Sequence, residues 1–207
     1  MIHDVEGFIL IGGQSSRMGA DKAGLRLGAL TFVERLAGEM RGIGLASIKL
    51  VGAHTDSCKE IAELGAKHSL PVVSDIYPQC GALGGLHAAL SHTGQTWTFA
   101  LACDLPFVMG ALMQRLTELR AGFEAVVPMQ PDGHAQPLCA LYNARVCLPQ
   151  AQQLLEAGER RAHVLAKQVR TRIVFYDEWA DLNNASLLSN VNTPHDYQRA
   201  CEQVDCR

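Results

Sequence analysis

The sequence has few of the features that mark disulfide-bonded, zinc-binding, nucleic-acid-binding or membrane proteins. Its 7 cysteines are an odd number and include no C-x-x-C pair, which argues against a disulfide framework and a zinc site. The formal net charge is -3, so no general basic surface favours DNA or RNA as a partner. Hydrophobic runs are short, and none approaches the roughly 18 apolar residues of a transmembrane helix.

Targeting and linker signals are also missing. The first residues, "MIHDVEGFILIGG", place acidic side chains before a short apolar run, whereas a secretory signal needs a basic start and a longer apolar region. Together with the unpaired cysteines, this predicts a cytoplasmic protein. The 207 residues are 48% hydrophobic and 19% charged, enough for one globular domain over 1–207 with a full core.

Strand-like and helix-period segments alternate through the first 120 residues. We predict strands at 7–11, 48–51, 71–74 and 97–102, and helices at 31–43, 56–64, 83–90 and 109–120. This βαβ rhythm predicts an α/β fold of Rossmann-like type, with a mostly parallel sheet covered on both faces.

The rhythm changes after residue 120. Two short strands, "EAVVPM" and "QPLCALY", are joined by the turn residues of "QPDGHA", which predicts a mixed sheet edge. Short helices are expected at 149–157 and 161–169, and a strand at 172–176. The last helix begins at "NTPHD", with Thr193 as N-cap, Pro194 as first helical residue and Asp196 as the reciprocal acid.

The stretch "ILIGGQSSRMGADKAGL" at 9–25 has the composition of a phosphate-binding loop that follows a strand. It matches neither common fingerprint, because Gly13 directly follows Gly12 and because Asp21, not glycine, precedes Lys22. A loop of this length can wrap a triphosphate. The alternative is an exposed Gly/Ser loop with solvated charges.

This stretch resembles the signature of the MobA-type molybdenum cofactor guanylyltransferase family, departing at Ile11, where that family usually has alanine. Four later stretches fit the same family in order: "VVSDIYPQCGALGGLHAAL", "ALACDLPFV", "GERR" and "NVNTPHD". In the first of these, Ala82 replaces the usual proline and Gly84 the usual alanine. The resemblance covers nearly the whole chain and implies the three-layer sandwich of the nucleotidyltransferase fold.

The resemblance also implies a Mg²⁺ ligand and nucleotide contacts. Asp104 closes a buried strand before Pro106, and nucleotidyl transfer needs a hard cation held by one or two carboxylates, so the resemblance implies that Asp104 holds Mg²⁺. Asp75 ends the preceding strand and by resemblance contacts the nucleotide. The alternative for both is an aspartate that only forms a turn.

Cationic and glycine positions complete the expected site. Arg17 and Lys22 are predicted to act catalytically on the triphosphate. The nucleobase is expected to contact the strand end and the glycine pair, and a Gly-Gly pair favours GTP over CTP within this superfamily; these residues are Leu10, Ile11, Gly12 and Gly13.

The acceptor, by resemblance, lies near two arginines and two asparagines, which are Arg160, Arg161, Asn190 and Asn192. Cations at a helix start oppose the helix dipole, which indicates a purpose beyond helix stability. The asparagines flank Val191, so an extended chain directs both amides to one side.

The expected reaction is transfer of GMP from Mg²⁺-GTP to the terminal phosphate of molybdopterin, with release of pyrophosphate. Transient contacts with molybdoenzymes or cofactor-biosynthesis proteins are also expected. The alternatives are the same chemistry with CTP, a different phosphorylated acceptor such as a sugar phosphate, and a non-enzymatic GTP-binding carrier of the cofactor.

Overall fold

The computed structural model describes residues 2–11, 24–52, 58–77, 79–182 and 186–205. In chain order these ranges form β1 (Val5–Ile11), β2 (Arg26–Leu27), β3 (Leu30–Thr31), α1 (Phe32–Gly42), β4 (Ile48–Gly52), α2 (Cys58–His68), β5 (Val72–Ser74), α3 (Gly81–His92), β6 (Trp97–Ala102), α4 (Gly110–Glu118), β7 (Ala125–Pro128), β8 (Cys139–Asn143), α5 (Ala144–Glu156), α6 (Ala162–Gln168), β9 (Thr171–Val174) and α7 (Pro194–Asp205). Within these ranges no helix combines the length and apolarity needed to span a bilayer.

The main sheet has seven strands in the order β5-β4-β1-β6-β8-β7-β9. The first four are parallel to one another, β8 runs antiparallel to both β6 and β7, and β7 pairs in parallel with β9. The predicted α/β fold, with a mostly parallel sheet and a mixed edge, is therefore confirmed.

Alternate side chains of the buried strands pack on opposite faces of the sheet. In β1, Ile9 and Ile11 belong to a buried cluster with residues of α1, α2 and α4, whereas Phe8 and Leu10 belong to a second cluster with residues of α3, α5 and α6. All seven residues of β1 are buried, as expected for a strand of a parallel sheet covered on both faces. The result is a helix–sheet–helix sandwich.

Side-chain caps hold the first and last helices where the sequence predicts them. Thr31 Oγ1 accepts from the N–H of Glu34 at 3.1 Å, and the Glu34 carboxylate accepts from the N–H of Thr31 at 2.6 Å. At α7, Thr193 Oγ1 accepts from the N–H of Asp196 at 3.1 Å, and the Asp196 carboxylate accepts from the N–H of Thr193 at 2.9 Å. The predicted start of α7 is confirmed.

The predicted start of α5 at Pro149 is wrong, because the helix begins at Ala144. Its buried stripe runs through Ala144, Cys147 and Ala151, so packing on the sheet continues past the proline. Pro149 lacks the N–H that would bond the carbonyl of Arg145, and its ring crowds the same carbonyl. Arg145 lies on the exposed face, where water can satisfy that carbonyl.

A buried carboxylate ties the amino ends of two strands to the end of α3. Glu6 is 4% exposed, and Lys49 Nζ lies 2.9 Å from Glu6 Oε1. Glu6 Oε2 accepts from Thr93 Oγ1 at 3.0 Å and from the N–H of Gly94 at 2.8 Å. Ser47 Oγ also donates to Oε1. Burial raises the pKa of Glu6, but these hydrogen bonds outweigh it and leave the pKa below its ordinary value.

Glu6→Gln should lower the free energy of unfolding by about 2 kcal/mol at pH 7, because it removes a charge that receives several hydrogen bonds. A lowered folded-state pKa contributes stability above the unfolded pKa of about 4.3, and this stability is lost as the pH falls through the folded value. In urea unfolding from pH 7 to 3, the difference in the free energy of unfolding between the variant and wild type should therefore shrink below about pH 4.3. Glu63→Gln, on the exposed face of α2, is the matched control. A difference in the free energy of unfolding that stays constant from pH 7 to pH 3 would contradict this account.

Candidate active site

The site is built at the carboxyl edge of the four parallel strands. Strand β1 lies between β4 and β6, and the chain leaves β1 toward β4 and β5 on one side but leaves β6 toward β7 and β8 on the other. Such a switch point leaves a crevice at the carboxyl ends of the strands, where ligands bind in open α/β sheets. Leu10 and Ile11 lie at this end of β1, and the carbonyl of Leu10 accepts from the N–H of Cys103 at 3.1 Å. The end of β1 is thereby joined to the loop that carries Asp104.

The glycine-rich loop itself lies outside the described residues. This applies to four of the predicted residues, Gly12, Gly13, Arg17 and Lys22. The described chain leaves β1 at Ile11 and resumes at Gly24, before the β2–β3 hairpin.

Asp104 is half-buried directly after β6. A turn follows the strand, with the N–H of Leu105 donating to the carbonyl of Ala102 at 3.2 Å. The carbonyl of Asp104 accepts from the N–H of Val191 at 2.8 Å. Two segments that lie 87 positions apart in the sequence, at Asp104 and Val191, thus meet through their backbones.

The asparagines that flank Val191 are exposed, whereas Val191 is 2% exposed. This alternation agrees with the extended segment predicted for "NVN". Asn190 Oδ1 accepts from Gln136 Nε2 at 3.1 Å, and the N–H of Asn192 donates to the Asp196 carboxylate at 3.1 Å. The structure therefore brings Asn190 and Asn192 to the loop of Asp104.

Val191 belongs to an apolar cluster that holds this segment in place. The cluster joins the β2–β3 hairpin, α1, the loop after β6 and α7, and its buried members are Leu27, Phe32, Phe107, Val191 and Ala200. Tyr197 of α7 donates its hydroxyl to the carbonyl of Arg26 at 2.7 Å. Beside the cluster is a cavity of about 320 Å³, which has Asn190, Gln130 and Arg199 in its lining.

Asp75 follows β5 and is 8% exposed. Its N–H donates to the carbonyl of Gly52 at 3.0 Å, and its Oδ1 accepts from the N–H of Tyr77 at 2.8 Å. A Cβ on Gly84 would lie 3.0 Å from Asp75 Oδ2, so α3 packs directly against the carboxylate. Burial raises the pKa of Asp75, and the hydrogen bond from Tyr77 offsets only part of this effect.

The two adjacent arginines make different contacts. Arg160 Nη1 donates to the carbonyl of Gln79 at 2.8 Å and to Cys80 Sγ at 3.1 Å, in the turn before α3. Arg161 donates through Nε and Nη2 to the Glu159 carboxylate, both at 2.8 Å. The Arg161 guanidinium, with the N–H groups of Arg160 and Arg161, lowers the pKa of Glu159 to about 2.

Glu159 and Gln136 are polar partners of the site that the sequence analysis missed. Glu159 supplies a negative charge at the start of α6 and so offsets the unfavourable position of the arginines near the helix dipole. An acid directly before two basic residues at a helix start is a signal that could have indicated it. No local pattern indicates Gln136, because its partner Asn190 is 54 positions away.

Asp104 is a carboxylate at this edge that could hold a metal ion. Within the part of the chain that the structure describes, no three His, Cys, Asp or Glu side chains are grouped as a metal site. A carboxylate such as Asp104 supplies the hard oxygen that Mg²⁺ prefers, and Mg²⁺ in nucleotide sites completes its shell with phosphate oxygens and water. The donor chemistry at this edge therefore fits Mg²⁺ bound together with a nucleotide.

Comparison with known proteins identifies several relatives. A family model described as the MobA-like NTP transferase domain matches residues 7–172. A probable molybdenum cofactor guanylyltransferase from Pelotomaculum thermopropionicum is 31% identical over 195 residues, covering 94% of this chain and 90% of its own. A protein with the same description from Carboxydothermus hydrogenoformans is 33% identical over 192 residues, covering 92% of each chain.

The fold has a counterpart among solved structures. The crystal structure of molybdopterin-guanine dinucleotide biosynthesis protein A from Archaeoglobus fulgidus matches with a TM-score of 0.80 and 22% identity. The match covers 98% of this chain and 100% of that one. At this identity, the likeness shows a shared fold.

Asp75→Asn should stabilise the fold at neutral pH, because it removes a buried charge while an amide oxygen can still accept from Tyr77. A raised folded-state pKa means that ionised Asp75 costs stability above that pKa, and that this cost disappears below the unfolded value of about 3.9. In thermal melts, the Tm of the variant should exceed that of wild type at pH 8, by about 2–4 °C for each kcal/mol of added stability, and the two Tm values should be equal near pH 3.5. Asp132→Asn, in an exposed turn, is the control. A variant less stable than wild type at pH 8 would show that the Asp75 charge stabilises the fold.

Proposed function

The chain belongs to the MobA-like NTP transferase family, and from that premise we propose that it transfers GMP from Mg²⁺-GTP to the terminal phosphate of molybdopterin. The products are the molybdopterin guanine dinucleotide and pyrophosphate. The observation that carries the proposal is the meeting of Asp104 with the Asn190–Asn192 segment at the switch point of the sheet. This arrangement supports a nucleotide and an acceptor bound side by side.

The reaction is a displacement at the α-phosphorus of GTP. An oxygen of the acceptor phosphate forms the new P–O bond, and the bond between the α-phosphorus and the bridging oxygen breaks as pyrophosphate leaves. The attacking phosphate is already an anion, so no side chain has to remove a proton from it. The chain's contribution is to align the two substrates and to neutralise their charge.

For the nucleotide, we assign Asp104 as the residue that holds Mg²⁺ and Asp75 as a nucleotide contact. Bound Mg²⁺ would supply charge neutralisation on the phosphates. The end of β1 and the loop that follows are assigned to the nucleobase and the triphosphate, through Leu10, Ile11, Gly12, Gly13, Arg17 and Lys22. The buried position of Asp75 and the junction between Leu10 and Cys103 support this placement.

For the acceptor, we assign Arg161, Asn190 and Asn192. Arg161 is 68% exposed, and the Glu159 carboxylate fixes one edge of its guanidinium, which leaves a planar, oriented cation for a phosphate. The two asparagines are exposed beside Asp104. Arg160, predicted with them, donates instead to the turn before α3.

Three further expectations stay predictions. Cytoplasmic location rests on the cysteine pattern, and the five cysteines for which the structure shows a free thiol agree with it. One nucleotidyltransferase domain over 1–207 is supported by a single sheet that takes strands from residue 5 to residue 174. Transient contacts with molybdoenzymes follow from the chemistry of the product.

Asp104→Ala and Lys22→Ala should each reduce pyrophosphate release by about 10²–10³-fold, because Asp104 would hold the Mg²⁺ that neutralises the phosphates and Lys22 would supply a positive charge to them. The measurement is pyrophosphate release with Mg²⁺, GTP and molybdopterin, with circular dichroism to check the fold. Asp4→Asn, at the opposite edge of the sheet, should retain the wild-type rate. Wild-type rates in either alanine variant would contradict the assigned roles.

GTP should stabilise the protein more than CTP, ATP or UTP in the presence of Mg²⁺. A ligand present at 100 times its Kd contributes about 2.7 kcal/mol, or about 5–10 °C in Tm for a chain of this size. Thermal shift with each nucleotide, followed by the pyrophosphate assay, separates the alternatives. A larger shift with CTP would support a cytidylyltransferase, and a shift with GTP without pyrophosphate release would support a carrier.

A further inference from the structure

The loop between α5 and α6 sends two adjacent arginine side chains to different places. Gly158 ends α5 with φ of +84° and donates its N–H to the carbonyl of Leu155 at 2.9 Å. Glu159 Oε1 then accepts from the N–H of Arg160 at 2.8 Å and from the N–H of Arg161 at 3.0 Å. These bonds fix the backbone from which both side chains leave.

Arg160 bonds to the start of α3 through its side chain and through its backbone carbonyl. Its side chain donates to the carbonyl of Gln79 and to Cys80 Sγ, and its own carbonyl accepts from the N–H of Leu83 at 3.0 Å. That N–H belongs to the first turn of α3, where a helix has no partner of its own. Arg160 therefore caps the amino end of α3 and also holds the turn before it.

The turn that Arg160 holds has an unfavourable backbone conformation. Gln79 has a φ of +63°, a backbone conformation that residues other than glycine rarely adopt, and Gly81 has a φ of +64°. A Cβ on Gly81 would lie 3.2 Å from the carbonyl oxygen of Arg160, so the two segments approach closely. A strained turn persists only where its surroundings hold it, and the Arg160 contacts do so here.

The same turn packs against Asp75. The N–H of Cys80 donates to the carbonyl of Tyr77 at 3.2 Å, and Tyr77 donates to Asp75. A Cβ on Gly84 would meet Asp75 Oδ2, the Tyr77 carbonyl and Cys80 Cβ within 3.1 Å. A shift of the turn would therefore displace Asp75 or the first turns of α3.

Arg161 has no comparable link in the contacts that the structure shows. Its side chain donates to Glu159 within its own loop and is 68% exposed. A guanidinium has five N–H donors, and the Glu159 contact uses two of them.

We propose that Arg160, unlike the acceptor residue Arg161 beside it, is a positioning residue for the nucleotide and acts on Asp75 through the Gln79–Gly81 turn. The proposal rests on the proposed function, in which Asp75 contacts the nucleotide. The two arginines of "GERR" thus act on different substrates, Arg160 on the nucleotide and Arg161 on the acceptor.

The test compares Arg160→Ala, Arg160→Lys, Arg161→Ala and, as a charge-matched control, Arg145→Ala on the exposed face of α5. Titration calorimetry with Mg²⁺-GTP measures nucleotide affinity without acceptor, and pyrophosphate release gives KM for molybdopterin. Arg160→Ala should weaken GTP binding about fivefold and leave the acceptor KM unchanged. Arg161→Ala should raise the acceptor KM and leave GTP affinity unchanged.

The lysine variant and a double-mutant cycle separate positioning from general damage to the fold. Lysine can still donate to the Gln79 carbonyl, so Arg160→Lys should recover part of the GTP affinity. In an Asp75→Asn background, Arg160→Ala should weaken GTP binding less than it does in wild type, whereas the effect of Arg161→Ala on the acceptor KM should stay the same.

Two results would overturn the proposal in distinguishable ways. If wild type binds GTP and both arginine variants raise only the acceptor KM, the division is wrong and the proposed function stands. If wild type binds no nucleoside triphosphate with Mg²⁺, the proposed function fails and the proposal fails with it.

Discussion

Strand β1 is hydrogen-bonded on both sides, to β4 and to β6, and all of its residues are buried. A strand enclosed in this way can present polar groups only at its ends. The carboxyl end of β1 is also where the neighbouring connections separate, so the loops after β1, β5 and β6 border one crevice. Asp75 and Asp104 lie at this edge because both follow parallel strands of the same sheet.

The antiparallel strand β8 brings the rest of the site to the same edge. Because β8 runs opposite to β6, its first residues pair beside the last residues of β6, and the N–H of Ala102 donates to the carbonyl of Leu138. Gln136, just before β8, is thereby placed where it can donate to Asn190. If β8 were parallel to β6, the carboxyl end of β8 would lie at this edge, and the residues that precede β8 would lie at the opposite edge. The mixed edge thus determines which loops reach the Asn190–Asn192 segment.

The strand ends and the helix caps could be predicted from the sequence, because their causes are local. Asp104 follows a buried apolar run and precedes a proline, and Thr193 stands three residues before Asp196; both patterns appear in consecutive residues. The start of α5 was not predictable in the same way, because packing on the sheet extends the helix before Pro149. Proline at the first helical position is common, and that local preference was overridden by burial.

The partners within the site depend on contacts between distant segments. Arg160 and Arg161 have the same side chain and adjacent positions, so the sequence alone assigns them one role. Their difference arises from the turn before α3, about 80 residues earlier, which meets Arg160 and not Arg161 in the contacts that the structure shows.

Burial of charge also differs between the two sides that we propose for the nucleotide and for the acceptor. On the nucleotide side, Asp75 is 8% exposed beside α3 and its pKa is raised, so the fold bears a cost for keeping this carboxylate. On the acceptor side, Arg161 and the asparagines are exposed, and Glu159 is held by hydrogen bonds that lower its pKa. A charge that is buried before its ligand arrives needs little reorganisation on binding, whereas exposed groups can adapt to a larger acceptor. Under the proposed function, the nucleotide side is therefore largely preorganised, and the acceptor side is open to a larger group.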